Sequence, residues 1–340
     1  MNSIRVSRLV LTSALILVTA ACGGGGDAGG VGGGDGGGPQ YLSIGTAPAG
    51  GAFFPVGGAI ADVLNQNAGE SGWNITAEAT KGSQENIRRL ESRELDFALA
   101  NSAISYFAVR GSEGFEQAYD IRAVMTLAPN VAQFLVPTES DVATIADLAG
   151  ERVGVLPSGA GVEYFLRPIL SAHGIAWDDV EWVPGPQSAA ADQLADGSVA
   201  AAFLGGAIPT AAITQVCSAR GIRFLPYDEQ AMASVAGEYV FFDRATIPAG
   251  TYRGQDVDYL GLDVGSMHLI AHGSTPEDLV YRVTKTLWEQ RESVAERHRA
   301  GRAIREGNVV RDTGTPFHPG AIRYYREAGL WPEDRGADAN

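Results

Sequence analysis

Residues Ile44 to Leu64 read IGTAPAGGAFFPVGGAIADVL: a short apolar strand, a glycine-dense turn, then apolar residues at helical spacing. A strand that feeds a helix through such a turn is the repeating unit of an α/β sheet. From Tyr41 the alternation continues through YLSIGTA, NITAEAT, LDFALAN and IRAVMTL, then QFLVPT, RVGVLPS, VEWVPG, AAAFLGG and RFLPY, with helix-like segments between them. The pattern predicts an α/β fold with mostly parallel sheets. A polar, turn-rich cluster, TESDVATIADLAGE, divides the series into two groups of comparable size, and 340 residues suit two lobes better than one core.

The two halves echo each other. In the first, a strand enters TAPAGGAFF and a later segment reads LESRELDFALANS; in the second, a strand enters LPSGAGVEYF and a later segment reads LADGSVAAAFLGG. Two such lobes facing each other make a cleft, and ligands of open α/β sheets sit beyond the carboxyl ends of the strands, where these turns lie. Past Asp228 the pattern loosens. The strand-like DVGSMHLIA returns to the first lobe, and PEDLVYRVTKTLWEQRESVAERHRA and GAIRYYREAGL read as helices. The expected organisation is lobe one over 41–130 and 250–275, lobe two over 131–249, and C-terminal helices over 276–340.

The first forty residues differ in kind. Arg5 and Arg8 precede the apolar run LVLTSALILVTAA and then Cys22. That run is shorter than the ~20 residues a bilayer span needs, so residues 1–21 read as a secretory signal peptide. VTAAC resembles a lipobox, with Thr19 where leucine is usual, which makes Cys22 the expected lipidation site. Residues 22–40 then form a glycine-rich tether, with an average reach of ~20–25 Å as a flexible coil. Losing Arg5 and Arg8 takes 25 basic residues to 23 against 40 acidic ones, and the net charge from −15 to −17. So acidic a chain lacks the basic surface that nucleic acid requires; the acidity reads as a solubility feature. Cys217, in the apolar context AAITQVCSA, reads as a buried small hydrophobe, and with Cys22 lipidated no disulfide is available.

The opening turn is neither a phosphate loop, which closes on Lys-Ser/Thr, nor a dinucleotide turn, which needs Gly-x-Gly-x-x-Gly. It offers unobstructed N–H groups at a helix start, from Ala49, Gly50 and Gly51 to Ala52 and Phe53, just past Thr46. A helix start carries spare donors and partial positive charge, so a carboxylate is a fitting guest; a turn that merely packs tightly is the alternative. Gly57 and Gly58 read as close helix packing. In TKGSQENIRRL, Ser83 is placed to cap a helix with Asn86 as capping-box partner, and that cap either faces ligand or is only a cap. Asn101 and Ser102, at a strand end, stand equally as ligand donors and as helix caps. Ser158, Gly159, Gly161, Val162 and Glu163 make the matching turn of lobe two, and Gly205 and Gly206 its matching strand end.

Catalysis finds little support. There is no G-x-S-x-G elbow, and Ser83 and Ser158 have no histidine nearby in sequence. His268 and His272 lack the glutamate of a metalloprotease helix, His318 reads as a turn or interface residue, and Asp178 and Asp179 as capping or solvation. Neither metal nor cofactor is expected.

Several stretches carry a family likeness. IGTAPAGGAFFPVGGAIADVL, ATKGSQENIRRLESRELDFALANS, LAGERVGVLPSGAGVEYFLRPIL, LADGSVAAAFLGGAIPTAAI, IPAGTYRGQDVDYLGL and FHPGAIRYYREAGL, in that order, resemble the TAXI-class solute-binding proteins of TRAP transporters. The likeness covers Tyr41 to Leu330. It implies a two-lobe (type II) periplasmic-binding-protein fold that closes on a small organic anion and delivers it to a permease driven by an ion gradient. Family members commonly carry Gly-Ser-Gly-Thr-Arg in the second-lobe turn, where this chain has GAGVE with Ala160, Val162 and Glu163. They also carry Thr-Tyr-Tyr before the first-turn proline, where it has Ala52, Phe53 and Phe54. Two hydroxyl donors and a cation are lost, which points to a ligand with one carboxylate and an apolar or neutral body. Alternative readings are an ABC-type importer receptor, the sensing module of a signalling system, and, on the same fold, an enzyme, from which export, tether and the missing catalytic constellation point away.

Overall fold

A computed structural model of the chain describes residues 40–48, 51–69, 72–333 and 335. Cys22, the leader, the glycine tract, Ala49 and Gly50 lie outside the described residues.

The quoted stretch is the expected strand and helix. Strand β1 (Gln40–Gly45) runs into helix α1 (Phe53–Gln66), which buries Val56, Ala59, Ile60, Val63 and Leu64, one face at 3.6-residue spacing. Pro55 falls in its first turn, where a missing N–H costs no hydrogen bond. Then follow β2 (Trp73–Glu78), α2 (Ser83–Glu91), β3 (Phe97–Asn101), α3 (Ser102–Ala108) and β4 (Ile121–Thr126). Here the chain crosses to a second sheet: β5 (Val131–Pro137), β6 (Arg152–Val155), α4 (Val162–Ala172), β7 (Glu181–Pro184), α5 (Gln187–Asp196), β8 (Ala201–Gly206), α6 (Ala211–Ala219), β9 (Ile222–Phe224), α7 (Glu229–Glu238), β10 (Phe242–Ile247) and β11 (Tyr259–Val264). It then returns through β12 (Met267–His272) and ends in α8 (Glu277–Glu289), α9 (Arg291–Arg297) and α10 (Pro319–Glu327).

The first sheet has the order β2-β1-β3-β12-β4, and the second runs β10-β11-β5-β8-β6-β7 with β9 also on β5. This is the two-lobe α/β architecture of the type II periplasmic-binding-protein fold. All nine quoted strand segments are strands, and the return strand joins the first sheet as expected.

Four expectations need correction. The sheets are mixed: β1 pairs in parallel with β2 and β3, and β6 with β7 and β8, but β12 runs antiparallel to β3 and β4, and β5 to β8, β9 and β11. A strand entering from the other lobe meets its neighbours without a helical crossover, so it is free to run antiparallel. Residues 250–264 belong to lobe two, because β11 pairs with β10 and β5. The C-terminal helices are part of lobe one: Leu279, Val280, Val283, Leu287 and Tyr325 share a core with Ile44, Ile60 and Leu99. The polar cluster after Pro137 lies within lobe two, past the crossing.

The two crossing segments travel as a pair. Leu127 N–H donates to the Met267 carbonyl (2.8 Å), Met267 N–H to Ala128 (2.9 Å) and Val264 N–H to Asn130 (3.1 Å). Asp263, 2 % exposed, binds both: its carboxylate accepts from Asn130 N–H (2.9 Å), Ser266 Oγ (2.7 Å) and Arg311 Nη2 (3.1 Å). Arg311 comes from the C-terminal segment of lobe one, so the hinge is tied to the lobe that holds both described ends of the chain.

Candidate functional site

The cleft between the lobes holds a cavity of about 70 Å³. Much of its wall comes from turns at the carboxyl ends of strands, while Ala132 and Phe203 lie within β5 and β8 and Phe165 on α4. Lobe one supplies Ala47, Pro48, Gly51, Phe53, Lys81, Gly82, Ser83 and Asn101. Lobe two faces them with Ala132, Leu156, Ala160, Val162, Phe165, Gln187, Phe203 and Gly205, and Asn130 comes from the hinge.

The lobes are closed on one another. Glu85 N–H donates to the Gly159 carbonyl across the cleft (3.3 Å), and Gln84 Nε2 donates to the Tyr164 hydroxyl. Glycines make this approach possible. A Cβ on Gly82 would lie 3.3 Å from Ala160 Cα, one on Gly161 3.0 Å from Ile104, and one on Gly51 3.2 Å from Gln187 Nε2. Gln187 itself is fixed: Nε2 donates to the Gly205 carbonyl (2.8 Å) and Oε1 accepts from Gly205 N–H (3.1 Å). Beside the cavity, Phe107, Tyr164 and Phe165 join residues of both lobes in one continuous core.

Of the residues expected at the site, Gly51, Phe53, Ser83, Asn101, Val162 and Gly205 line the cavity. Ala52 is buried beneath the turn, near Gly206, whose own Cβ would lie 3.8 Å from that of Ala52. Helix α1 starts without a side-chain cap and without an acidic residue in its first turn, so its N–H groups are unclaimed by side chains. Ser158, Gly159, Gly161 and Glu163 instead border a neighbouring hollow with Gln84, Trp177 and Trp182, in which the two indoles stack at 4.3 Å. Glu163 there faces Arg167 (3.8 Å). Of the GAGVE departures, therefore, Ala160 and Val162 reshape the cavity and Glu163 does not.

Other residues do structural work. Thr46 Oγ1 donates to the Glu78 carbonyl (2.6 Å), and buried Asn86 Nδ2 donates to the carbonyls of Thr46 (2.6 Å) and Leu99 (2.8 Å). The expected Ser83 capping box is not formed. Gly82, with φ +124°, is the N-cap of α2, and Ser83 Oγ accepts from Asn101 N–H (2.9 Å), joining two cleft turns. Asn101 does cap α3, accepting from Ala103 N–H (2.8 Å), while its Nδ2 donates to the hinge carbonyl of Val264 (3.2 Å). Ser102, fully buried, contributes its N–H to Ser266 (2.9 Å) and does not line the cavity. Gly57 packs against Thr46 as expected, whereas a Cβ on Gly58 would meet nothing.

Sequence reasoning missed Lys81, Asn130, Leu156, Phe165, Gln187 and Phe203. Lys81 is the sole ionisable side chain among the described residues lining the cavity, and no carboxylate lines it.

The remaining candidates fall elsewhere. Cys217 is buried, and burial pushes its thiol up to about 11. His268 Nε2 lies 2.8 Å from Ser105 Oγ inside lobe one, His318 caps α10 by accepting from Gly320 N–H (3.1 Å), and Asp179 caps its turn through Ala176 N–H (2.7 Å). Among the described residues no cluster of three or more His, Cys, Asp or Glu could hold a metal ion, and no helix is long and apolar enough to cross a membrane.

Residues 44–329 match the NMT1-like family. Similar solved structures include the alkanesulfonate-binding protein SsuA from Xanthomonas axonopodis pv. citri bound to MOPS, at 16% identity over 87% of this chain and 95% of that one, TM-score 0.49. The periplasmic aliphatic sulphonate binding protein SsuA from Escherichia coli is similar at 14% identity over 87% and 95%, TM-score 0.41. An ancestral arginine-binding protein bound to arginine is similar at 15% identity over 76% and 96%, TM-score 0.47.

Proposed function

The chain belongs to the NMT1-like family, and from that premise we propose that it is an extracytoplasmic solute receptor, which captures a small organic anion and hands it to a membrane permease. One observation carries the reading: a cavity between two closed lobes, lined by Gly51 and Phe53 at the uncapped start of α1 and, among the described residues, by no carboxylate. The guest has one carboxylate and an apolar body, since the remaining wall is Phe53, Leu156, Val162, Phe165 and Phe203. Following the TAXI resemblance, the permease is of the TRAP type, driven by an ion gradient, and Cys22 carries a lipid that holds the receptor at the outer face of a membrane. The receptor releases its ligand unchanged.

A thermal-shift screen of the mature protein against mono- and dicarboxylates tests this. A ligand that binds only the native state adds ~2.7 kcal/mol at a hundredfold excess over Kd. No shift with any carboxylate overturns the anion reading, and turnover of a bound compound overturns the receptor reading. Uptake into vesicles holding receptor and permease should collapse with an ionophore and persist without ATP. The reverse would place the protein with ABC-type importers.

A further inference from the structure

We infer that the Lys81 ammonium is the group that reads the ligand's charge, pairing with a single carboxylate while the ligand's body lies against the apolar wall of lobe two. The inference rests on the anion reading above and adds to it the residue and the selectivity that follows.

The backbone at Lys81 is fixed while its side chain is left uncommitted. Thr80 Oγ1 donates to the Thr46 carbonyl at the end of β1 (2.9 Å) and accepts from Gly82 N–H (3.1 Å). The Lys81 N–H itself donates to Glu85 Oε2 (3.3 Å). That carboxylate is engaged with the main chain, and among the described residues no carboxylate forms an ion pair with the Lys81 ammonium. The stem runs along lobe two, since a Cβ on Gly159 would lie 3.5 Å from Lys81 Cβ and 3.6 Å from its Cδ. The ammonium thus belongs to lobe one while its stem packs on lobe two, so an anion that it holds is gripped only when the cleft is shut.

The rest of the cavity wall is uncharged. Lys81 is exposed even with the lobes closed, so its ammonium meets the guest at the solvent-facing edge of a neutral cavity, where the charge pair is partly screened. The chain has 23 arginines and only two lysines, and one of those two stands here. With no second cation in the wall, a dicarboxylate would bring its other charge against Leu156, Phe165 and Phe203 unpaired, which is costly. Monocarboxylates are therefore selected by charge count, and the apolar wall selects among them.

Calorimetric titration of the mature protein and its Lys81→Gln variant, with matched probes, tests the assignment. The probes are hexanoate, 3-phenylpropanoate, their two primary amides, and adipate. The unmodified protein is expected to bind the two monocarboxylates above their amides and above adipate. Lys81→Gln should weaken the acids by up to about fivefold, the range of a solvent-exposed ion pair, and leave the amides unchanged. Lys81→Arg, which keeps the charge, should lie between the two, and all forms should melt alike without ligand. If Lys81→Gln binds the acids undiminished while the acids still outrank the amides, the Lys81 assignment is overturned and the anion reading stands. Equal losses for acids and amides would make Lys81 a structural residue, which also overturns it. Amides binding as tightly as acids, or no binding by any probe, overturn the anion reading and this inference with it.

Discussion

Substituting alanine for Gly51 sets a methyl group 3.2 Å from Gln187 Nε2 when the cleft is closed, and among the described residues no other atom outside its chain neighbours lies within 4 Å of that methyl. Gln187 cannot yield cheaply, because both ends of its amide are bonded to Gly205 at 2.8 and 3.1 Å. Gln187 must give by a few tenths of an ångström against those two bonds, so closure should become about as much harder as losing one of them, ~0.5–1.5 kcal/mol, and ligand affinity fall about 2- to 12-fold. The open form loses nothing, since the clash exists only across the cleft. Alanine in a turn also narrows the unfolded ensemble, so stability without ligand should hold or rise slightly. Titration with the tightest monocarboxylate and a melt without ligand together check this; Gly51→Leu should bind nothing yet melt as the parent does. Unchanged affinity in Gly51→Ala would show that the Gly51–Gln187 approach is absent from the bound state. A ligand-free melt lowered by several degrees would show that Gly51 serves the fold.

Three other perturbations separate fold from closure. Gly161 holds φ +78° at the start of α4, so Gly161→Ala should cost ~1–2 kcal/mol from the left-handed backbone alone, read as a melt lowered by a few degrees even without ligand. Arg311→Ala strands the buried Asp263 carboxylate at the hinge and should cost ~3 kcal/mol at pH 7. Burial already pushes Asp263 above the usual carboxylate range despite Arg311, so without Arg311 the loss should shrink as pH falls and the carboxyl takes a proton, and an equal loss at pH 5 would exclude that charge as the cause. His268 is wholly buried, and burial foremost, then Arg311, lowers its pKa to about 3. The unfolded chain protonates it below about pH 6.5, so its contribution is complete above that pH and is lost as pH drops from 6.5 towards 3, by up to ~1.4 kcal/mol per unit. His268→Gln should flatten that part of the urea-unfolding profile, and an unchanged slope would assign the acid sensitivity elsewhere.

The strands were readable because each carries its own apolar run, and α1 because Val56, Ile60 and Val63 repeat at helical spacing on one face. The limits of lobe one were not. Half of the β10 segment FDRATI is exposed, with only Phe242 and Ile247 buried at its two ends, so its pairing with YLGLDV leaves no hydrophobic period that says which sheet it joins. Ser83 looked like a helix cap because Ser-x-x-Asn fits the local rule, while the residue that starts α2 is Gly82, whose backbone angle no side chain announces. Asn86, polar and fully buried, holds two carbonyls that are distant in sequence. Gln187 and Lys81 were missed for a related reason. A glutamine opening a helix and a lysine beside a glycine are ordinary surface residues until the other lobe arrives. Glycine-rich turns advertise a cleft from within one segment, but the groups that discriminate its contents are defined by the fold's long-range approach.

Lobe two enters and leaves the chain at neighbouring points, since Val131 and Asp263 are register partners on β5 and β11. It is therefore an insert with its ends side by side, clipped into a first lobe whose own sheet closes without it. Such a module can be cut out at those two residues and replaced by the corresponding piece of a relative. Half of the cleft wall would change in one exchange, while β1, α1 and Lys81 stay in place.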